Sequence, residues 1–160
     1  MMDVLISIQP KWCELIASGK KTVEVRKTRP KIDTPFKCYI YETQGKTDTP
    51  FVDEEGHIIF NGRGQVIGEF VCECITALKA DNIVQAYYNN TCATCLTDAE
   101  ITNYANGGKL YYWHISDLVI YDESKELSEF NHCGVNYHFN PPIKRPPQSW
   151  CYVEKGENDT

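Results

Sequence analysis

Three ionisable side chains of opposite sign crowd into six residues of this chain: Lys21, Glu24 and Arg26, within Gly19-Lys20-Lys21-Thr22-Val23-Glu24-Val25-Arg26. If they face a cleft, Glu24 and Arg26 make a paired acid and cation on rigid backbone, with Lys21 at the entrance. Such a set can hold a phosphate, read a base edge or move a proton. If they lie on a solvated strand face, charges alternating with Val23 and Val25 are ordinary surface patterning. A structural Glu–Arg ion pair would have the same spacing, so the spacing leaves all three readings open.

The other constellations are less specific. Cys92-Ala93-Thr94-Cys95 is a lone C-x-x-C that His132-Cys133 would complete as a Cys3His zinc set. No second C-x-x-C and no paired histidine motif accompanies it. Two unconnected buried cysteines are therefore the default, and no metal is assigned. His57, His114, His132 and His138 are scattered, and no Ser/His/Asp or Cys/His triad follows from spacing. Gly62-Arg63-Gly64 lacks the strand-to-helix setting of a phosphate loop, and no motif calls for a cofactor. Tyr41, Trp113 and Trp150 fall on expected strands. They are core filling by default, and otherwise a stacking platform for a base.

Periodicity shows which elements would position the charged stretch. Residues 4–8 alternate as a strand. Pro10 suits the first turn of a helix, and Trp12, Leu15 and Ile16 give that helix an apolar stripe. Gly19 ends it in the left-handed conformation. The period then switches to two over an expected strand at 21–27. One face carries Lys21, Val23 and Val25, and the other carries Thr22, Glu24 and Arg26. Residues 28–35 form a loop and 36–43 a strand. The segment 44–64 is rich in turn formers and acids, with 56–62 as part of a hairpin ending in an Asn-Gly turn. A long strand is expected at 66–76 and short helices at 81–88 and 97–105. The second helix carries the capping-box pattern Thr97-x-x-Glu100 and stops at Gly107-Gly108. A strand at 110–121 is expected to break at Ser116-Asp117. Residues 131–147 read as irregular, and 150–153 close the sheet. Six or seven strands with few helices, in neither βαβ repeats nor even hairpins, argue for an α+β, strand-dominated fold: a mixed barrel with a few peripheral helices. One domain is expected over 1–154, with insertions at 44–64 and 80–108 and a frayed tail at 155–160.

Charge narrows the partners. The formal net charge is −6. Residues 1–46 hold nine Lys/Arg against five Asp/Glu, net +4, and the remainder hold seven against seventeen, net −10. A basic patch on an acidic chain can steer a phosphate-bearing ligand to one place. Tight nonspecific duplex binding needs many phosphate contacts and is not expected. No apolar run approaches the roughly 18 residues of a membrane helix. Met1-Met2-Asp3 lacks the basic start of a signal peptide, so a reducing, cytoplasmic setting is expected for the eight cysteines. The acidic stretch 48–55 could be a protein-interaction surface, but is more simply a solvated loop. No segment signals a protein partner or an oligomeric state.

The stretch Gly19-x-Lys21-x-x-Glu24-x-Arg26 resembles the G-x-K-x-x-E-x-R signature of the ASCH domain, a small barrel related to the PUA domains. Leu5-Ile6-Ser7-Ile8-Gln9-Pro10 looks like its opening strand, and residues 12–18 like the helix feeding the motif. Val66-Ile67-Gly68-Glu69-Phe70 and Pro146-Pro147-Gln148-Ser149-Trp150-Cys151-Tyr152-Val153 look like later strands. The resemblance covers roughly the whole chain and is weakest over 80–108. It implies a PUA-like fold with a cleft lined by the motif strand. The ligand-binding residues it implies are Ser7, Gln9, Lys21, Glu24, Arg26, Tyr41, Glu69, Ser149 and Trp150.

Two functions follow from that resemblance. PUA relatives usually bind RNA, so the cleft would hold RNA or a nucleotide or nucleoside. Lys21 and Arg26 would contact phosphate or a base edge, and Glu24 would accept from an exocyclic amine. Some ASCH relatives are amidohydrolases that deacylate N4-acylated cytidines with a lysine, a threonine and a glutamate. Lys21 matches the lysine, Glu24 stands where the threonine would be, and Glu69 and Glu73 are available as the glutamate. Lys21 and Glu24 would be the catalytic pair of such an enzyme. A ribonuclease would have the same Lys21 and a choice of tyrosines. With a carboxylate beside it, Lys21 is expected to stay protonated.

Overall fold

The computed structural model of the chain describes residues 2–45, 51–52, 54–56, 58–60, 62–79, 93–134 and 139–156. Its elements run β1 (Met2–Ile8), α1 (Pro10–Ala17), β2 (Val23–Arg26), β3 (Phe36–Glu42), β4 (Phe51–Val52), β5 (Ile58–Phe60), β6 (Gln65–Lys79), α2 (Asp98–Ala105), β7 (Lys109–Lys125), a 3-10 turn (Leu127–Glu129) and β8 (Trp150–Glu154). Six strands form one sheet in the order β2-β7-β6-β3-β1-β8, and β4 pairs with β5 in a separate ribbon. β1 runs parallel to β3 and antiparallel to β8, while β2 runs antiparallel to β7. The sheet is therefore mixed, and the fold is the strand-dominated α+β class expected from periodicity. Among the described residues no helix is long and apolar enough to cross a membrane.

The chain divides into two compact units. The first comprises Met1–Glu14, Lys37–Phe70 and Val119–Thr160. Its core gathers Leu5, Tyr39, Tyr41, Val66, Leu127, Ile143 and Val153. β1 is buried from Asp3 to Ile8, as its near-continuous apolar run requires of a strand flanked by partners on both sides. The second comprises Leu15–Phe36 and Val71–Leu118. Its core gathers Val23, Val25, Ile101, Ala105, Leu110 and Tyr112. The long strands β6 and β7 each contribute residues to both units.

Several expectations shift. In α1 the buried side chains are Pro10, Cys13 and Ile16, while Trp12 and Leu15 are half-buried, so the apolar stripe is rotated from the one expected. Trp12 instead lies under the Lys11 ammonium, 4.6 Å from ring centroid to Nζ. β2 begins at Val23, two residues later than expected, because Lys21 and Thr22 are held by other contacts described below. β7 does not break at Ser116-Asp117. It absorbs the irregularity with Asp117 at φ +47° and continues to Lys125. The hairpin partner of β5 is β4, and its register slips between Phe51 and Val52. α2 starts as expected: the Thr97 side chain accepts the Glu100 N–H, and Asn106 ends the helix at φ +47°. The expected helix at 81–88, and His57, Asn61, Cys92 and His138, lie outside the described residues.

Two glycines separate conformational from steric demand. Gly19 has φ +79° with open space where a Cβ would stand. Gly62 has φ +84°, and a Cβ there would fall 1.9 Å from the Thr43 carbonyl oxygen. Gly19→Ala should therefore cost only the left-handed penalty, about 1 kcal/mol. Gly62→Ala adds a backbone clash and should cost about 3 kcal/mol or more. Urea unfolding of the two variants measures the difference, and equal losses would contradict the steric account.

Candidate functional site

The charged stretch is positioned by three backbone devices. Past α1 the Gly19 N–H donates to the Ile16 carbonyl and the Lys21 N–H to the Leu15 carbonyl, so the chain turns back tightly at Gly19. Thr22 N–H and Val23 N–H both donate to the Ala93 carbonyl, at 2.9 and 2.8 Å. β2 then pairs with β7 in the register Val23↔His114, Glu24↔Trp113, Val25↔Tyr112, Arg26↔Tyr111. Directly opposed residues share a face. Glu24 and Arg26 thus share theirs with Trp113 and Tyr111, while Val23, Val25 and Tyr112 pack into the core.

Lys21 departs from the parity that assigned it to the valine face. It precedes the strand, and its ammonium reaches across to Glu24, 3.7 Å from Oε2. That ammonium also donates to the Thr94 carbonyl at 2.5 Å. On the other side of the carboxylate, Arg26 Nε donates to Glu24 Oε1 at 3.1 Å. The three side chains form one line, cation–anion–cation, and all are withdrawn from solvent: Lys21 is 2% exposed and Glu24 6%. The solvated-face reading is thereby ruled out for Lys21 and Glu24.

One oxygen in the line stands out. Glu24 Oε2 is buried and has no hydrogen-bond donor among the described residues, since 3.7 Å from Lys21 is an ionic contact rather than a hydrogen bond. Burial pushes the Lys21 ammonium below its ordinary pKa of 10.5. The Glu24 carboxylate opposes that shift without cancelling it. Desolvation is thus the larger effect on Lys21 and the Glu24 carboxylate the opposing one.

Sequence reasoning missed the residues that close around the motif. Thr94 is fully buried, and its hydroxyl accepts the Leu96 N–H. Cys95, at φ +58°, donates from Sγ to the Lys20 carbonyl at 3.4 Å. Residues 93–95, read from sequence only as part of a C-x-x-C, thus grip residues 20–23. Tyr104 on α2 was also missed. It is 36% exposed, lies 4.9 Å from Lys27 Nζ, and its hydroxyl senses the charges of Arg26 and Glu24. The spacing of α2 could have flagged it, because Ile101 and Ala105 face the core and Tyr104 does not. His114 Nε2 lies 3.2 Å from Thr76 Oγ1, and burial lowers its pKa.

The remaining expected ligand residues lie in the first unit. Ser7 donates its hydroxyl to the Pro147 carbonyl at 2.6 Å and its N–H to the Ser149 carbonyl at 2.9 Å. The Gln9 carbonyl accepts the first N–H groups of α1, from Trp12 and Cys13. Tyr41 is a core residue, and Trp150 packs edge-on against Tyr152. Glu69 pairs with Lys37 at 3.2 Å and accepts from the Tyr121 hydroxyl at 2.5 Å. Lys21, Glu24 and Arg26 are brought together; Ser7 and Ser149 are joined through backbone. Among the described residues no group of three or more His, Cys, Asp or Glu could hold a metal ion.

A folded-state pKa below the unfolded one means the native protein releases the Lys21 proton first. The stability cost of the buried charge is complete below the folded pKa. It is relieved as pH rises from there toward the ordinary 10.5. In an NMR titration of the lysine side chains, Lys21 should titrate below the surface lysines. Glu24→Gln, which removes the largest opposing contribution, should lower it further. A Lys21 titration among the surface lysines would contradict the burial account.

Comparison with known proteins places this geometry in a family. The family scan matches the ASCH domain over residues 6–136. No curated protein matches the chain. Among solved structures the chain is similar to a crystal structure of ASCH from Zymomonas mobilis, with TM-score 0.61 and 23% identity over 96% of this chain and 88% of that one. A serine-to-alanine mutant of the Zymomonas protein aligns with TM-score 0.58 and 19% identity, over 96% and 89% of the two chains. A tyrosine-to-phenylalanine mutant gives 0.59 and 21%, over 96% and 91%. At these identities the likeness is one of fold. The family match spans most of the chain, including the entire Gly19-x-Lys21-x-x-Glu24-x-Arg26 stretch, and the chain therefore belongs to the ASCH domain family.

Proposed function

We propose that the chain binds RNA or a nucleotide through the Lys21–Glu24–Arg26 cluster. The observation that carries this reading is Glu24 Oε2, a buried carboxylate oxygen that lacks a hydrogen-bond donor among the described residues. Leaving such an acceptor unmet costs about 1–3 kcal/mol. A ligand N–H, such as the exocyclic amine of a base, would remove that cost. The basic excess of residues 1–46 supports a phosphate-bearing ligand. Tyr104, 36% exposed and with Lys27 Nζ 4.9 Å from its ring centroid, adds a ring on which a base can stack.

The second reading is hydrolysis of an N4-acylated cytidine. The lowered pKa of Lys21 favours it, because a lysine can act as a base only when it loses its proton readily. Against it stands the local threonine chemistry. Thr94 meets Lys21 through its carbonyl, and its hydroxyl accepts from the Leu96 N–H. The Thr94 hydroxyl is thereby not turned to the lysine as a nucleophile, so binding is the preferred reading.

Mass spectrometry of natively purified protein should find a nucleotide or a short RNA. Glu24→Gln should weaken the binding of that ligand by roughly tenfold or more. Lys21→Ala and Arg26→Ala should weaken it too, and added salt should reduce the wild-type affinity. Equal affinity in low and high salt would sink the electrostatic account. For catalysis, wild-type protein should leave N4-acetylcytidine essentially intact. Robust turnover that disappears in Lys21→Ala would replace the binding reading with the enzymatic one.

A further inference from the structure

Glu24 and Tyr104 belong to opposite faces of one strand. Val23 and Val25 of β2 pack with Ile101 and Ala105 of α2, so α2, which carries Tyr104, covers the valine face. Glu24 and Arg26 alternate onto the other face, opposite Trp113 and Tyr111 of β7. β2 lies at the edge of the six-stranded sheet, and all of these residues fall in the second unit.

Lys27 stands where that strand ends, next in the chain to Arg26. Its parity is that of Val23 and Val25, and its exposed ammonium rests 4.9 Å from the centroid of the Tyr104 ring. The Lys27 backbone is also hydrogen-bonded to the Tyr104 hydroxyl. Tyr104 is thus tied at its hydroxyl and, through the buried Ile101 and Ala105, at its helix, yet 36% of it stays open to solvent. A ring held in this way loses little freedom when a base stacks on it. Arg29, the next cation, is turned back on its own loop, with Nε donating to the Pro30 carbonyl at 3.1 Å. Lys27 pairs with no carboxylate among the described residues. An aromatic face is a weak partner for an exposed ammonium, and a phosphate replaces it with a full opposite charge.

We propose that Lys27 and Tyr104 form a second nucleotide subsite, so that the chain takes single-stranded RNA of at least two nucleotides rather than a mononucleotide. One base donates an N–H to Glu24 Oε2, the linking phosphate passes the strand edge at Lys27, and the next base stacks on Tyr104. A single base cannot meet both residues, because the strand stands between them. The inference rests on the role assigned above to the Lys21–Glu24–Arg26 cluster, and adds the length of the ligand and the residues that read it.

The test is an NMR titration of the whole chain with AMP, CMP and UMP and with the RNA tetramers of A, C and U. For the base that binds best, the tetramer should bind roughly tenfold or more tighter than its monophosphate. Tyr104→Leu should erase that advantage, and Tyr104→Phe, which keeps the ring, should retain most of it. Lys27→Gln should lower the salt dependence of tetramer binding by about one phosphate contact. Glu24→Gln should weaken both ligands alike, and thermal melts check that each variant is folded. A tetramer no tighter than its monophosphate, an advantage that survives Tyr104→Leu, or an unchanged salt slope in Lys27→Gln would overturn the second subsite and leave the Glu24 reading standing. Failure of every monophosphate and tetramer to bind would overturn both.

Discussion

Burying the Lys21 ammonium is the constraint from which the local architecture of the second unit follows. An ammonium that is 2% exposed needs an acceptor and a counter-charge close by, because removing it from water costs several kcal/mol unless both are present. The Thr94 carbonyl is the acceptor and Glu24 the counter-charge. Supplying that carbonyl brings residues 93–95 against residues 20–23. Once there, they satisfy two further backbone donors through Ala93 and set Cys95 in the left-handed region. The tight turn at Gly19 and the late start of β2 at Val23 belong to the same arrangement.

The same packing fixes how the acid at the centre is met by its neighbours. Arg26 occupies one oxygen of Glu24 through a hydrogen bond, and Lys21 approaches the other only as a neighbouring charge. Two cations flank one carboxylate without filling its hydrogen-bonding capacity. That carboxylate is one hydrogen-bond donor short among the described residues. Across β2, Val23 and Val25 anchor the strand in the core with Leu110 and Tyr112. The polar line on one face is therefore fixed by apolar packing on the other.

In the first unit acidic groups are treated differently. Glu69 and Glu154 have donors at both oxygens, from Lys37 and Tyr121 in one case and from Asn140 and Asn131 in the other. These bonds link β3, β6 and β7 side chain to side chain and tie β8 to residues 131 and 140, around a cavity lined by Tyr39 and Phe130. Part of the negative charge of residues 47–160 is thus engaged in hydrogen bonds and ion pairs within the chain.

Local pattern was enough for the elements and the motif. The alternation in residues 4–8, Pro10 and Gly19 bounding α1, the Thr97 cap of α2 and the charged stretch 19–26 all rest on interactions within a few residues, which the sequence encodes directly. The fold class followed from the same signals. Tertiary structure decided the rest. Lys21 left its expected face because a carbonyl 73 residues away captured its ammonium, and no periodicity reports such a contact. Glu24 was a solvated, paired or cleft residue by spacing alone, and only burial with Trp113 opposite and Arg26 beside it chose among these. Glu69 carried the sequence of an ASCH strand, yet its role came from Lys37 and Tyr121, 32 and 52 residues away. Side-chain chemistry is written in the sequence, but desolvation and partner distance decide what that chemistry does, and both exist only once distant segments meet.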